Sequence, residues 1–223
     1  MEAEDLPKVM VIAGVGSGIS KAVARKFGKQ GFVLALLARS EDKLLALKDV
    51  LANEGIQSEV YPIDLSDVTL LRLTFSKIRV DLGEPSVLVY NASTFRKGTP
   101  LKSSFETLVE DFKVNVAAAL TCSREVHPGM ESIDNGTIIF TGGGLAQSPY
   151  MDFTSLSIGK AGLRNLAICL GQELFNSNIR VHTVQIRGMV SDADSRYNAQ
   201  AIADLYWKIH SEPKGKYEVE VIY

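Results

Sequence analysis

The residues best suited to chemistry begin with Gly14-Val15-Gly16-Ser17-Gly18, which directly follows the apolar run Val9-Met10-Val11-Ile12-Ala13. A short unbroken apolar run is what a strand covered on both faces requires. A glycine-rich turn from such a strand into a helix directs unpaired backbone N–H groups and the positive end of a helix dipole at one point. That arrangement suits a pyrophosphate, with Gly14, Gly16, Ser17, Gly18 and Ile19 as the expected contacts. A second apolar run, 32–38, ends at Arg39, with Ser40 and Lys43 close behind. An enzyme that selects NAD usually places a carboxylate there for the ribose hydroxyl, whereas a guanidinium pairs with a 2′-phosphate, so these residues point to NADP(H). The plainer readings are a turn that binds nothing and a surface charge flanking a helix. Further on, Thr141, Tyr150, Ser155, Ser157 and Lys160 offer hydroxyls, a phenol and an amine to bind or transfer a proton.

These residues need a scaffold. Ile19, Val23, Ala24 and Phe27 recur at helical spacing and Gly31 closes the segment, so residues 8–39 are expected to form a β-α-β unit. The same alternation continues with a helix at 41–53, a strand at 58–63, a helix at 67–82, a strand at 86–90 and a long helical region at 105–127. It ends with a strand at 136–141, a helix at 153–175, a strand at 179–184, a helix at 199–210 and a strand at 217–222. Seven strands wound both ways predict a three-layer α/β sandwich with a parallel seven-stranded sheet, a single domain over 1–223. Its ligand crevice should lie at the carboxyl ends of the strands, where Gly14, Arg39, Asp64, Asn91 and Thr141 fall.

Composition narrows the class. The chain has 223 residues, 46% of them hydrophobic, which supports one large core. Its 24 basic and 26 acidic residues are scattered and sum to −2, so no nucleic-acid surface or anionic membrane is expected as a partner. The Lys214-Gly215-Lys216 stretch reads as a solvated turn. Residues 1–5 are acidic, with no basic leader or long apolar segment, and a cytoplasmic protein is expected. Cys122 and Cys169 lack histidine neighbours at ligand spacing and are expected to be buried free thiols, with no metal site.

The order and spacing of these segments resemble the short-chain dehydrogenases/reductases. Their T-G-x-x-x-G-x-G turn is similar to Ala13-Gly14-Val15-Gly16-Ser17-Gly18-Ile19-Ser20, with Ser20 in place of the last glycine; a G-x-G-x-x-G fingerprint fails at Ile19. Tyr90-Asn91-Ala92-Ser93 resembles the family's N-N-A-G, Val114-Asn115-Val116 carries its asparagine, Lys160 before Ala161-Gly162-Leu163 its lysine, and Arg187-Gly188 its P-G. The resemblance implies an NADP(H)-dependent oxidoreductase. Asp64 would meet the adenine amine, though 63–67 also reads as a capped helix start. Asn91, Ala92 and Gly188 would line the cofactor, Asn115 would position a water, and Lys160 would hold the nicotinamide ribose. A homodimer or homotetramer through the 105–127 and 153–175 helices is also implied, with Ala117-Ala118-Ala119, Ala161 and Ala167 as small packing residues.

The chemistry departs from the family at its centre. The tyrosine of Y-x-x-x-K falls on Leu156 and the serine on Gly143, give or take a residue. A leucine transfers no proton. Phe153-x-x-Leu156-x-x-x-Lys160 resembles the Y-x-x-M-x-x-x-K of the enoyl-thioester reductases without its hydroxyl. About ten polar residues separate Gly188 from the last helix, so the substrate lid is expected to be reduced. Two functions follow: an atypical oxidoreductase acting on a carbonyl or enoyl substrate, or a catalytically silent NADP(H)-binding sensor or regulatory subunit.

Overall fold

The apolar runs become the strands of one sheet. The computed structural model describes residues 8–213 and 217–223; the acidic segment 1–5 and the Lys214-Gly215-Lys216 turn fall outside them. The strands are β1 (Lys8–Ala13), β2 (Phe32–Ala38), β3 (Ser58–Pro62), β4 (Pro85–Tyr90), β5 (Gly136–Thr141), β6 (Ile179–Gln185) and β7 (Glu220–Ile222). They lie in the order β3-β2-β1-β4-β5-β6-β7, all parallel. The helices are α1 (Ile19–Gly28), α2 (Glu41–Asn53), α3 (Val68–Leu82), α4 (Phe105–Phe112), α5 (Ala118–Ser132), α6 (Thr154–Glu173) and α7 (Ala199–His210).

Alternation along the strands builds two cores. Val9, Val11 and Ala13 of β1 pack with α3, α5 and α6 on one face, and Met10 and Ile12 with α1, α2 and α7 on the other. With helices on both faces, each strand must be apolar throughout, which is why the runs are unbroken. Strand order reverses between β1 and β4, and the ligand crevice of such sheets opens at that point.

Three expectations are corrected. The long helix 105–127 is broken by a π-turn at Lys113–Ala117 and runs on to Ser132. A π-turn misaligns one carbonyl of the helical ladder, and the buried Tyr90 hydroxyl donates to that of Val114. Cys122 is buried, but helical phase turns Cys169 outward. Strand β7 begins only at Glu220, because Tyr217 and Glu218 meet β6 through the Tyr217 hydroxyl and the His182 ring rather than through a ladder. Among the described residues no helix is long and apolar enough to cross a membrane, and no group of His, Cys, Asp and Glu is arranged to hold a metal.

Candidate functional site

The turn after β1 is locked to the turn after β4. Gly14 has φ +88°, and a Cβ there would lie 2.4 Å from the Ala92 nitrogen and Cα, so both conformation and space demand glycine. Asn91 Nδ2 donates to the Gly14 carbonyl at 3.0 Å, and the Asn91 N–H to the Ala13 carbonyl at 2.8 Å. Ser20, read from the sequence only as a small replacement, closes the turn itself: its Oγ accepts from the Gly16 N–H at 2.7 Å and donates to the Gly16 carbonyl at 3.2 Å. Gly18 begins α1 with no side-chain cap across the first turn.

A crevice of about 1140 Å³ opens beside these turns. Of the expected cofactor contacts, Gly14, Gly16, Ser17, Arg39, Ser40, Lys43, Asp64, Asn91 and Ala92 line it, whereas Gly18, Ile19, Lys160 and Gly188 do not. Sequence reasoning missed Lys21, Leu65, Thr94, Arg96 and Val114, which line it too. Only Lys21 carried a signal, one helical turn beyond Ser17 on the glycine-turn helix. Asp64 lines the crevice and also closes the turn that leads into α3. Its Oδ1 accepts from the Ser66 N–H at 2.9 Å and the Ser66 hydroxyl at 2.8 Å, and these bonds, the backbone one foremost, hold its carboxyl below the usual range. The helix cap proper is Asp67, which accepts from the Leu70 N–H.

Beyond this crevice, α6 presents Lys160, one turn after Leu156. Lys160 Nζ donates to the Thr141 carbonyl at 2.7 Å, and desolvation lowers its pKa from the lysine value to about 8. Asn115 is buried in the π-turn. Its Oδ1 accepts from the Thr94 N–H at 2.8 Å and its Nδ2 donates to Thr94 Oγ1 at 3.1 Å, so its amide fixes the loop after β4. The backbone of α6 approaches it closely: a Cβ on Gly159 would lie 2.6 Å from the Asn115 Cβ. Leu156 is buried. Gly143 has extended backbone, φ −179°, and a Cβ there would be 3.9 Å from Lys160 Cε, so a side chain fits.

The hydroxyls considered as substitutes are engaged elsewhere. Thr141 Oγ1 accepts from the Tyr206 hydroxyl of α7 at 2.9 Å, across the sheet from α6, so its side chain is held on the face away from Lys160. Ser157 Oγ accepts from the Tyr150 N–H, and Ser155 Oγ donates to Asp111 Oδ2 at 2.7 Å. Tyr150 is 52% exposed and leans on Phe153 at 6.0 Å between ring centres; Phe153 lies on Phe95 at 4.6 Å. The loop between Gly188 and α7 is short, yet it has an apolar anchor. Tyr197 packs where a Gly188 Cβ would stand, and it meets Tyr223 edge-on at 5.6 Å.

A sequence profile described as short chain dehydrogenase matches residues 8–201. The chain is 30% identical over 177 residues to the 2,3-dihydro-2,3-dihydroxybenzoate dehydrogenase of Bacillus subtilis (strain 168), covering 79% of this chain and 68% of that protein. It is 31% identical over 180 residues to the 3-ketodihydrosphingosine reductase of Mus musculus, covering 77% of this chain and 53% of the mouse protein. Other curated relatives are likewise matched over little more than half their length. Among solved structures, a metagenomic short-chain oxidoreductase in complex with NADP superposes with a TM-score of 0.88 at 26% identity, over 99% of this chain and 98% of that one. An actinorhodin polyketide ketoreductase with NADPH superposes at 0.89 with 18% identity, over 97% and 95%, a likeness of fold alone.

Proposed function

This chain belongs to the short-chain dehydrogenase/reductase family, and from that membership we propose that it is an NADP(H)-dependent oxidoreductase with an atypical proton donor, acting on a carbonyl or enoyl group. The observation that carries the cofactor choice is the lining of one crevice by the glycine turn together with Arg39, Ser40 and Lys43. A pyrophosphate fits against Gly16 and Ser17 at the start of α1, and a 2′-phosphate against Arg39 and Lys43. The NADP named for the metagenomic relative supports the same choice. When bound, the cofactor supplies or accepts the hydride. The chain's own part is to hold and position it: Asn91 and Gly14 fix the two turns that flank the crevice, and Asn115 fixes the loop through Thr94.

Lys160 is the group placed to hold a proton at the reacting end. With a pKa of about 8 its Nζ carries that proton in most molecules at pH 7 and exchanges it readily near neutrality. Leu156 and Gly143, at the positions where the family has tyrosine and serine, leave no phenol beside it, and that loss is what favours the second reading, a silent NADP(H)-binding module. NADPH titration followed by a turnover screen over carbonyl and enoyl substrates separates the two. The expected result is NADPH binding with slow turnover, reduced at least a hundredfold by Lys160→Ala and raised about tenfold by Leu156→Tyr with Gly143→Ser, in line with the roughly 10²- to 10⁴-fold worth of a positioned acid. NADPH binding with no substrate-dependent oxidation would establish the silent module instead.

We also propose that the protein assembles through α4, α5 and α6. Phe105, Val109, Phe112, Leu120 and Ile158 are exposed on these helices, apolar side chains that a second subunit would cover. Of the small residues expected there, Ala118, Ala119 and Ala167 are buried in the subunit's own core, whereas Ala117 is exposed and Ala161 half-buried. A dimer or tetramer is expected by light scattering at micromolar concentration, with Phe112→Glu shifting it to monomer; a monomeric parent contradicts the assignment.

A further inference from the structure

A second cavity of about 200 Å³ lies beside the nucleotide crevice, between the loop after β4, the start of α4 and the first turn of α6. Arg96 lines both cavities and forms the wall between them. Lys97, Lys102, Ser103, Ser104 and Thr107 line the second; Ser103 Oγ donates to the Thr99 carbonyl and Ser104 Oγ to Thr107 Oγ1, which leaves the two ammonium groups and the Thr107 hydroxyl as donors for a ligand. The Arg96 charge is met by Asp111 at 3.4 Å and Glu110 at 3.7 Å. Lys97 and Lys102 make no salt bridge among the described residues, which leaves their charge for a ligand.

The cavity is held in shape from both sides. The Gly98 N–H donates to the Asp152 carbonyl at 2.8 Å, and the Thr154 N–H to the Gly98 carbonyl at 3.3 Å, pinning the loop to the entry of α6. The Phe95–Phe153 ring contact adds to this attachment. A Cβ on Gly98 would lie 3.0 Å from Ser103 Oγ, so the glycine keeps the cavity open. On α6 the wall is Ser155, five residues before Lys160 and therefore about 7.5 Å from it along the helix.

We propose that this cavity binds a phosphoryl group, and that it is the subsite for a phosphorylated end of the substrate. Only the substrate role rests on the oxidoreductase reading; binding of the anion does not. Two flexible ammonium groups and the Thr107 hydroxyl around one space suit a tetrahedral dianion, which each can reach with a separate donor.

The test is calorimetric titration of inorganic phosphate into the NADPH-saturated protein, with sodium acetate at matched ionic strength as the control. Saturable phosphate binding is expected, weakened at least tenfold in Lys97→Ala/Lys102→Ala and in Gly98→Ala, and unchanged in Lys208→Ala, an exposed lysine that lines neither cavity. Both lysines are exposed, so their removal leaves the fold intact. Heats that do not saturate, that match those of acetate, or that ignore the lysine pair would overturn the proposal. Phosphate binding seen only in the absence of NADPH would place the anion in the nucleotide crevice and overturn it equally. If the parent binds no NADPH but its phosphate binding depends on the two lysines, the cofactor reading fails and the anion site stands.

Discussion

An Arg39→Asp variant is expected to bind NADPH about a hundredfold more weakly than the parent and to prefer NADH. Arg39 follows the last residue of β2, is exposed, and lines the crevice with Ser40 and Lys43. A charge-assisted bond to a phosphate is worth roughly 1.5–3 kcal/mol, and a carboxylate facing the same phosphate adds repulsion, so about 2.7 kcal/mol, or two decades in affinity, is a conservative sum. The same carboxylate can accept both hydroxyls of an unphosphorylated ribose, which is the source of the NADH preference. Lys43→Ala should cost less, since a flexible ammonium is a point charge without the planar fork. Fluorescence titration of both cofactors reads the effect. Equal affinity of the parent for NADPH and NADH would remove Arg39 from the role.

Acidification is expected to destabilise the protein substantially before its surface carboxylates titrate. At the amino-terminal edge of the sheet, opposite the crevice, His182 of β6 and His210 of α7 are both held near pKa 4, down from 6.5, first by desolvation. Arg180 adds repulsion to both, and His182 and Lys8 add to that at His210. Arg180 is itself buried, tied to Thr137 Oγ1, Asn135 Oδ1 and the Glu212 carbonyl, with the Tyr217 phenol and Glu212 nearby, and it cannot move away. His182 Nδ1 bonds the Glu218 carbonyl while Nε2 has no partner, and His210 lies against the rings of Phe27, Phe32 and Trp207.

The sign follows from the depressed values. Above pH 6.5 both rings are neutral in either state and cost nothing. Between 6.5 and 4 the unfolded chain binds more protons, so stability falls as pH falls. At about 1.4 kcal/mol per unit, the 2.5-unit depression of His182 removes about 3 kcal/mol by pH 4, and the part-exposed His210 removes less. Against a typical total of roughly 5–15 kcal/mol, that is a large fraction. The lowered carboxyls of Glu54, Asp81 and Glu220 lose their contribution only from about their ordinary values of 4.5 and 3.8 downward, at the foot of this window, so the fall above pH 5 belongs to the histidines. Urea denaturation midpoints from pH 7.5 to 4.5 should fall steeply in the parent and less in His182→Leu. A flat profile in the parent would contradict the assignment.

How much of this was legible without the structure depends on the range of the interaction. The strands, the glycine turn and helices such as Glu41–Asn53 and Ala199–His210 are written in residue type and period, because burial on both faces and helical phase are local demands. Arg39 was legible for the same reason, as the residue that follows a readable strand. The break at Lys113–Ala117 was not. It has no proline or glycine to announce it, and it is held by the Tyr90 hydroxyl from a strand more than twenty residues away.

The centre of the site divides in the same way. The sequence by itself determined the family's fold, the glycine turn after β1 and the cation after β2, since each is written in residue type and local spacing. Only the tertiary structure decided that Tyr206 spends its hydroxyl on Thr141 across the sheet, and that Asn115 spends its amide on Thr94. It alone made Ser20 a closing bond of the turn, and it set Lys97 and Lys102 with Arg96 around one cavity. A side chain's type fixes what it can bond to, but its partner is chosen by what the fold carries within about 3 Å of it.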